Sequence, residues 1–220
     1  MSIRRALSAI VLGGAAYGTS IGASTDATHA LFSAAKVPLL LLGTALLCGL
    51  ACRVLALFLG ARLPPRAVLA ATLCMHADLA SMLASLSPAV LFLGRTMVQP
   101  HDDELGGYPA FLGSNMAFVA AAGVVAHVRQ ATTLLHAHAV PRAIARRVVV
   151  AWLAAALAVG GQLAFQLRPL FGIASLTGPV PFMLFDEPTA TGARNFYEMV
   201  WQLVRNAAGY ELRLVEPRRR

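Results

Sequence analysis

The chain has 220 residues, of which 58% are hydrophobic and only 13% are charged. Soluble domains carry about 25% charged residues, so this composition excludes an ordinary water-soluble globular domain. The net charge of +8 would suggest nucleic acid in a soluble protein, but here the arginines lie mostly between apolar blocks, as in membrane proteins. We therefore expect the lipid bilayer, and no nucleic acid, as a partner.

Four apolar blocks with at most one charged residue each are long enough to cross a membrane as helices. A hydrocarbon core of about 30 Å needs roughly 20 apolar residues of helix. Lipid offers no hydrogen-bond partner to an open backbone, which favours helices over strands. The sequence therefore predicts an all-α, polytopic transmembrane helical bundle, whose four strong spans are residues 37–60, 67–94, 108–128 and 148–167.

A weaker apolar segment, residues 6–24, precedes these blocks and is predicted to be a fifth span. Gly14, Gly18 and Gly22 recur every fourth residue and therefore share one helix face. This spacing lets helix backbones approach closely in lipid, so we assign these glycines to helix packing. Two alternatives stay open, namely chance spacing in a glycine-rich stretch and a cleaved signal peptide.

The distribution of charge predicts the orientation of a five-span bundle. Residues 25–36 read as a polar interval, after which Pro38 lies in the first turn of the second span. The charged residues on one side of the membrane are then all basic: Arg4, Arg5, Arg62, Arg66, Arg129, Arg142, Arg146 and Arg147. That side should face the cytoplasm, because positive charge is retained there.

Residues 169–220 form a tail of different character, predicted to be extended or interfacial. Within it, residues 189–206 read as an amphipathic helix, since Phe196, Val200 and Leu203 follow helical spacing. A helix rich in aromatic residues is typical of the membrane interface. A short soluble helix packed on loops is the alternative.

Polar side chains inside the apolar blocks are the candidate functional residues, because such groups are costly in lipid and often functional. Asp78 shares helical spacing with Cys74, Ser81 and Ser85, which predicts a polar stripe facing the bundle interior. His76 points about 200° away from Asp78 on the same helix.

Arg53 is the only charged residue in residues 37–60. We expect Arg53 to pair with Asp78, or with His76, in the bundle core. A structural ion pair is the favoured interpretation, and a proton or ion pathway is the alternative.

The remaining polar residues and motifs favour a structural role over a catalytic one. Cys48, Cys52 and Cys74 with His76 could suggest a soft-metal site, but cysteine is common in apolar cores, so neither a metal nor a cofactor is expected. Gln162 and Gln166, spaced by four, are assigned to helix packing through their amides. Walker, GxSxG, HExxH and CxxC motifs are missing from the sequence, which favours a protein that is not an enzyme.

Several short segments carry a resemblance to known proteins: Tyr17-Gly18, Lys36-Val37-Pro38-Leu39-Leu40, Leu86-Ser87-Pro88, Leu167-Arg168-Pro169-Leu170-Phe171-Gly172 and Asn195-Phe196-Tyr197-Glu198. They resemble a family of small bacterial membrane proteins that is distantly like the five-span Yip family. The resemblance implies a role in membrane organisation and trafficking, and it supplies no catalytic residues. The arginine- and alanine-rich composition is typical of a GC-rich bacterial genome.

These patterns together predict a non-enzymatic, multi-pass protein of the bacterial inner membrane. It would act in membrane organisation, or as a subunit that binds a second copy or another membrane protein. The first alternative is a small transporter or channel in which Arg53, His76 and Asp78 line a hydrated path. The second is a membrane-embedded enzyme acting on lipid, which would need His76, Asp78 or residues 102–104 to converge at one cavity.

Overall fold

The computed structural model describes residues 2–97, 108–166 and 195–207, and this part of the chain contains six helices and no strands. The helices are α1 (Ile3–Gly22), α2 (Ala27–Phe58), α3 (Pro65–Met97), α4 (Tyr108–Ala137), α5 (Arg142–Gln166) and α6 (Phe196–Ala207). The predicted all-α helical bundle is therefore confirmed.

Four of the helices are long and apolar enough to cross a membrane, and they match the four predicted blocks: Ala27–Phe58, Pro65–Met97, Ala110–Ala137 and Arg142–Gln166. This supports an integral membrane protein. The first helix falls below this group in length and hydropathy, but its 20 residues extend about 30 Å alongside α2 and α3.

The close packing of α1 depends on its glycines. Gly14, Gly18 and Gly22 face α2, where a Cβ on Gly14 would lie 3.2 Å from the Pro38 nitrogen and a Cβ on Gly18 would overlap the Ser33 carbonyl. Gly13 faces α3 instead, and a Cβ there would lie 2.6 Å from the Ala80 carbonyl oxygen. The first helix is thus wedged between α2 and α3 by backbone-to-backbone contact.

Helix α2 starts at Ala27, well before the predicted residue 37, so Lys36 and Pro38 lie inside the helix. The cause is an N-cap: the Asp26 carboxylate accepts a hydrogen bond of 2.8 Å from the His29 backbone N–H. Pro38 is tolerated because neighbouring helices can accommodate the lost backbone bond. Residues 27–36 of the predicted polar interval are therefore helical, and Lys36 is only 3% exposed.

The Asp26 cap should respond to pH in a defined direction. The hydrogen bond from the His29 N–H holds the pKa of Asp26 below its ordinary value of 3.8. The cap therefore stabilises the fold fully above pH 3.8 and is lost as the pH falls through the lowered pKa. We expect Asp26→Ala to lower the free energy of unfolding by about 1 kcal/mol at pH 7, and by less at pH 3. Chemical unfolding in detergent at both values measures this, and an equal loss at both would contradict it.

Two helices end in the same motif, in which a residue of left-handed conformation follows the last turn. Gly60 has φ of +84°, and Ala61 N–H donates to the Ala56 carbonyl at 2.8 Å. Ala139 has φ of +49°, and Val140 N–H donates to the Leu135 carbonyl at 3.0 Å. Alanine at such a position is strained by about 1 kcal/mol, whereas glycine is not.

This difference gives a pair of opposite predictions. Gly60→Ala should lower the free energy of unfolding by about 1 kcal/mol, because it introduces the strain. Ala139→Gly should raise that free energy by up to about 1 kcal/mol, because it removes the strain. Thermal or denaturant unfolding of the two purified variants compares them directly, and a change of the same sign in both would show that the two turns are not equivalent.

Helices α4 and α5 extend beyond their predicted apolar blocks toward the turn that joins them. The fourth helix continues to Ala137 rather than ending at residue 128, and α5 starts at Arg142 rather than at residue 148. The additional turns of α4 bury Ala131 and Leu135, which pack in one core with Trp152 of α5. Apolar residues four apart thus keep the helix packed beyond the predicted end of the span at residue 128.

Helix α6 packs on α5 through its first turn. Asn195 caps it, because its Oδ1 accepts a hydrogen bond of 2.9 Å from the Glu198 backbone N–H. The Phe196 ring lies against Gly161, where an added Cβ would come within 2.6 Å of the ring. Tyr197 and Trp201 are 50% and 62% exposed. The predicted amphipathic helix is therefore present from Phe196, and residues 189–194 of that prediction lie outside the described part of the chain.

Candidate functional site

Polar side chains of α3 and α4 meet at two places, where His76 lies beside His127 and where Asp78 contacts Arg129 and Gln130. We define the polar seam as His76, Asp78, His127, Arg129 and Gln130. Two of these residues come from α3 and three from α4. The seam brings together two predicted candidates, His76 and Asp78, with three residues to which the sequence assigned no site role.

Asp78 is held by an amide rather than by an arginine of α2. Its Oδ2 accepts a hydrogen bond of 2.7 Å from Gln130 Nε2 and lies 3.9 Å from Arg129 Nη1. The Arg129 side chain is 68% exposed, so its weak contact contributes little compared with the bond from Gln130. The carboxylate thus joins α3 to α4.

The predicted pairing of Arg53 with Asp78 or His76 is therefore wrong. Arg53 comes five positions before the end of α2 at Phe58, whereas Asp78 comes 13 positions after the start of α3 at Pro65. This difference of eight residues corresponds to about 12 Å along the bundle. Instead, Arg53 lies beside the turn that joins the two helices.

The predicted polar stripe also differs in orientation from the structure. Ser81 and Ser85 are exposed, while Cys74 and Asp78 are partly buried. The stripe therefore lies at the surface of α3 at its two serines and contacts α4 at Asp78. The two serine hydroxyls donate to carbonyls of their own helix, Ala77 O at 2.8 Å and Met82 O at 2.7 Å. These internal bonds satisfy the hydroxyls without any partner helix.

The most deeply buried part of the polar seam is a histidine pair. His76 and His127 are 3% and 5% exposed, and their ring centroids are 6.2 Å apart. Nδ1 of His76 lies 2.8 Å from the Thr72 carbonyl, which makes that nitrogen the donor. His127 Nε2 is buried and has no hydrogen-bond partner among the residues that the structure describes.

The sequence analysis did not identify His127. A signal was present, because His127 is the only ionisable side chain between Tyr108 and Val128. Its position as a partner of His76 follows from the register of α3 against α4, which the sequence does not give.

The cysteines belong to the apolar core. Cys48 and Cys52 are fully buried, and the Cys52 carbonyl accepts a hydrogen bond of 2.8 Å from Trp152 Nε1. Cys74 is partly buried on α3. Within residues 2–97, 108–166 and 195–207, no group of three or more His, Cys, Asp or Glu side chains could hold a metal ion.

The remaining amides differ in burial. Asn115 is 1% exposed and joins α4 to α1, because its Oδ1 accepts a hydrogen bond of 2.9 Å from the Tyr17 hydroxyl. An amide hydrogen bond of this kind between spans stabilises helix packing. Gln162 is half-buried on α5, and Gln166 is exposed at the end of that helix.

Comparison with known proteins adds no functional information. The chain matches no protein-family model, no curated protein and no solved structure. Its function must therefore be inferred from the residues and contacts described above.

Proposed function

We propose that this chain is a non-enzymatic protein of the bacterial inner membrane that acts in membrane organisation by binding another membrane protein or a second copy of itself. The observation that carries the proposal is the bonding of Asp78. It is the only acidic residue in the four candidate spans, and its carboxylate accepts from Gln130 of the neighbouring helix. A carboxylate used in this way stabilises helix packing.

Two further contacts support the same role for the interior. The Tyr17 hydroxyl bonds to Asn115, and the Trp152 indole N–H bonds to the Cys52 carbonyl. Each of these bonds joins two helices, so several polar groups of the interior hold the helices of the bundle together. Membrane organisation is also the role that the resemblance to the Yip family implies.

The partner surface in this proposal is the outer face of α6. Trp201 and Val204 are 62% and 55% exposed on a helix that contacts α5 through Phe196 and through the Tyr197 hydroxyl, which donates to the Leu157 carbonyl at 3.5 Å. Aromatic side chains of this kind are favoured in protein interfaces and at the level of lipid headgroups.

Site-specific photo-cross-linking in bacterial membranes tests this surface. A photoreactive amino acid is placed at Trp201, and a matched control is placed at Val150 of α5, which is 62% exposed. We expect position 201 to give a discrete protein adduct of defined mass, either a dimer or one membrane protein, and position 150 to give lipid adducts. Lipid adducts alone at both positions would overturn the proposal.

A small transporter or channel is the second candidate, and the histidine pair favours it. His127 Nε2 is buried without a hydrogen-bond partner in the described part of the chain, and its ring centroid lies 6.2 Å from that of His76. Proton and cation flux into proteoliposomes distinguishes the two candidates. Our proposal expects wild-type flux equal to that of empty vesicles, with Asp78→Asn altering only stability. Wild-type flux that a folded Asp78→Asn variant abolishes would establish transport instead.

A further inference from the structure

A shallow depression lies beside the turn that joins α2 to α3. It is lined by Arg53, Leu57, Arg62, Leu63, Pro64 and Pro65, none of which belongs to the polar seam. We refer to these six residues as the basic depression. Its lining combines two guanidinium groups with four apolar side chains and contains no acidic residue.

The electrostatics of the basic depression favour an anion. Arg53 is half-buried, and its Nη1 is a buried donor without a hydrogen-bond partner in the described part of the chain. A buried donor of a charged group is costly unless it is satisfied. Arg62 is exposed on the same depression and adds a second guanidinium. Guanidinium groups bind phosphate oxygens through two parallel N–H donors.

The walls of the basic depression favour an anion that carries a hydrocarbon chain. Leu57 is 49% exposed on the last turn of α2, so an apolar surface continues from the arginines along the helix. Pro64 and Pro65 add a rigid apolar wall, and Leu63 is anchored in the core at 2% exposure. A free inorganic anion would leave this apolar surface uncovered.

The depth of the basic depression matches that of lipid headgroups. Arg53 lies five residues before the end of α2, or about 8 Å from it, and Arg62 lies in the turn beyond. Arg66 and Arg142 are at the same end of the bundle, which the positive-inside rule assigns to the cytoplasm. Anionic lipids bind basic pockets at this level.

We propose that the basic depression binds the phosphate group of an anionic phospholipid from the cytoplasmic leaflet. Arg53 and Arg62 contact the phosphate oxygens, and Leu57 and the proline wall contact the first carbons of an acyl chain. The site requires that the chain spans a membrane, but it does not depend on partner binding by α6. Failure of the cross-linking experiment at Trp201 would therefore leave it unaffected.

Native mass spectrometry of the full chain, delipidated in detergent and titrated with defined lipids, tests this proposal. We expect phosphatidylglycerol to bind more tightly than phosphatidylcholine, and we expect Arg53→Gln to weaken phosphatidylglycerol binding about tenfold. Arg62→Gln, at an exposed position that leaves the core intact, should also weaken it. Arg66→Gln is the matched control, since Arg66 is exposed nearby but does not line the depression.

Four outcomes would overturn the proposal. The first is equal binding of the two lipids, and the second is equal loss in Arg66→Gln and Arg62→Gln. The third is full competition by inorganic phosphate at the concentration of the lipid, which would identify a free anion as the ligand. Retention of phosphatidylglycerol by both Arg53→Gln and Arg62→Gln would place the lipid elsewhere and would equally refute the site.

Discussion

Replacing Gly18 with alanine is expected to destabilise the bundle by about 3 kcal/mol, which is at the upper end of the usual range for overpacking. The new Cβ would overlap the Ser33 carbonyl oxygen and lie 2.6 Å from its carbon. These are backbone atoms within α2, so they cannot move aside as the end of a flexible side chain could. The two helices must separate, and the contacts around Gly14 and Gly22 are lost with them.

Unfolding of the purified protein in detergent, followed by circular dichroism, measures this loss. Gly113→Ala and Gly123→Ala are matched controls, because both glycines lie within α4 and a Cβ at either would meet nothing within 4 Å. Alanine is the better helix former by about 1 kcal/mol, so the controls should be neutral or slightly stabilising. A Gly18→Ala variant as stable as these controls would show that α1 does not pack on α2 as described.

Replacing Trp152 with alanine is expected to cost about 3–5 kcal/mol, the range for truncating a buried aromatic side chain. Trp152 is fully buried in the core formed with Cys52, Met75 and Leu135, and its indole N–H donates to the Cys52 carbonyl at 2.8 Å. Trp152→Phe should cost less, because it keeps most of the apolar volume and loses mainly the hydrogen bond.

The second tryptophan of the chain provides the control. Trp201 is 62% exposed on α6, so Trp201→Ala should change the free energy of unfolding by less than about 1 kcal/mol. The variants also separate the fluorescence of the two tryptophans. The emission that remains in Trp201→Ala comes from Trp152 and should be that of a buried indole. Equal losses of stability in the two alanine variants would contradict the assignment of Trp152 to the core.

The sequence predicted those properties that depend on a single helix. The four apolar blocks were sufficient to predict the four long helices, because crossing a hydrocarbon layer imposes a length and a composition on each span independently. The glycine face of α1 could likewise be predicted, since residues four apart share a face whatever they contact. The amphipathic helix of the tail followed from the spacing of Phe196 and Val200 in the same way.

The candidate site was only half predictable. His76 and Asp78 stood out as polar residues in an apolar block, but Gln130, Arg129 and His127 could not be assigned to them from the sequence. The error over Arg53 has the same origin, because its predicted depth used helix ends that the structure places elsewhere. An error of two residues at each of two helix ends is enough to bring a distant arginine into apparent range of a carboxylate.

By itself, then, the sequence determined that this chain forms long apolar helices, and which residues share a face on each of them. Only the tertiary structure decided that Asp78 meets Gln130, that His76 meets His127 and that Ser81 faces outward. The physical reason is that helical periodicity fixes angles within one helix, whereas contacts between helices depend on the rotation and the vertical register of each helix against its neighbour. Those two quantities are set by packing across the whole bundle, which includes the close contacts at the glycines of α1.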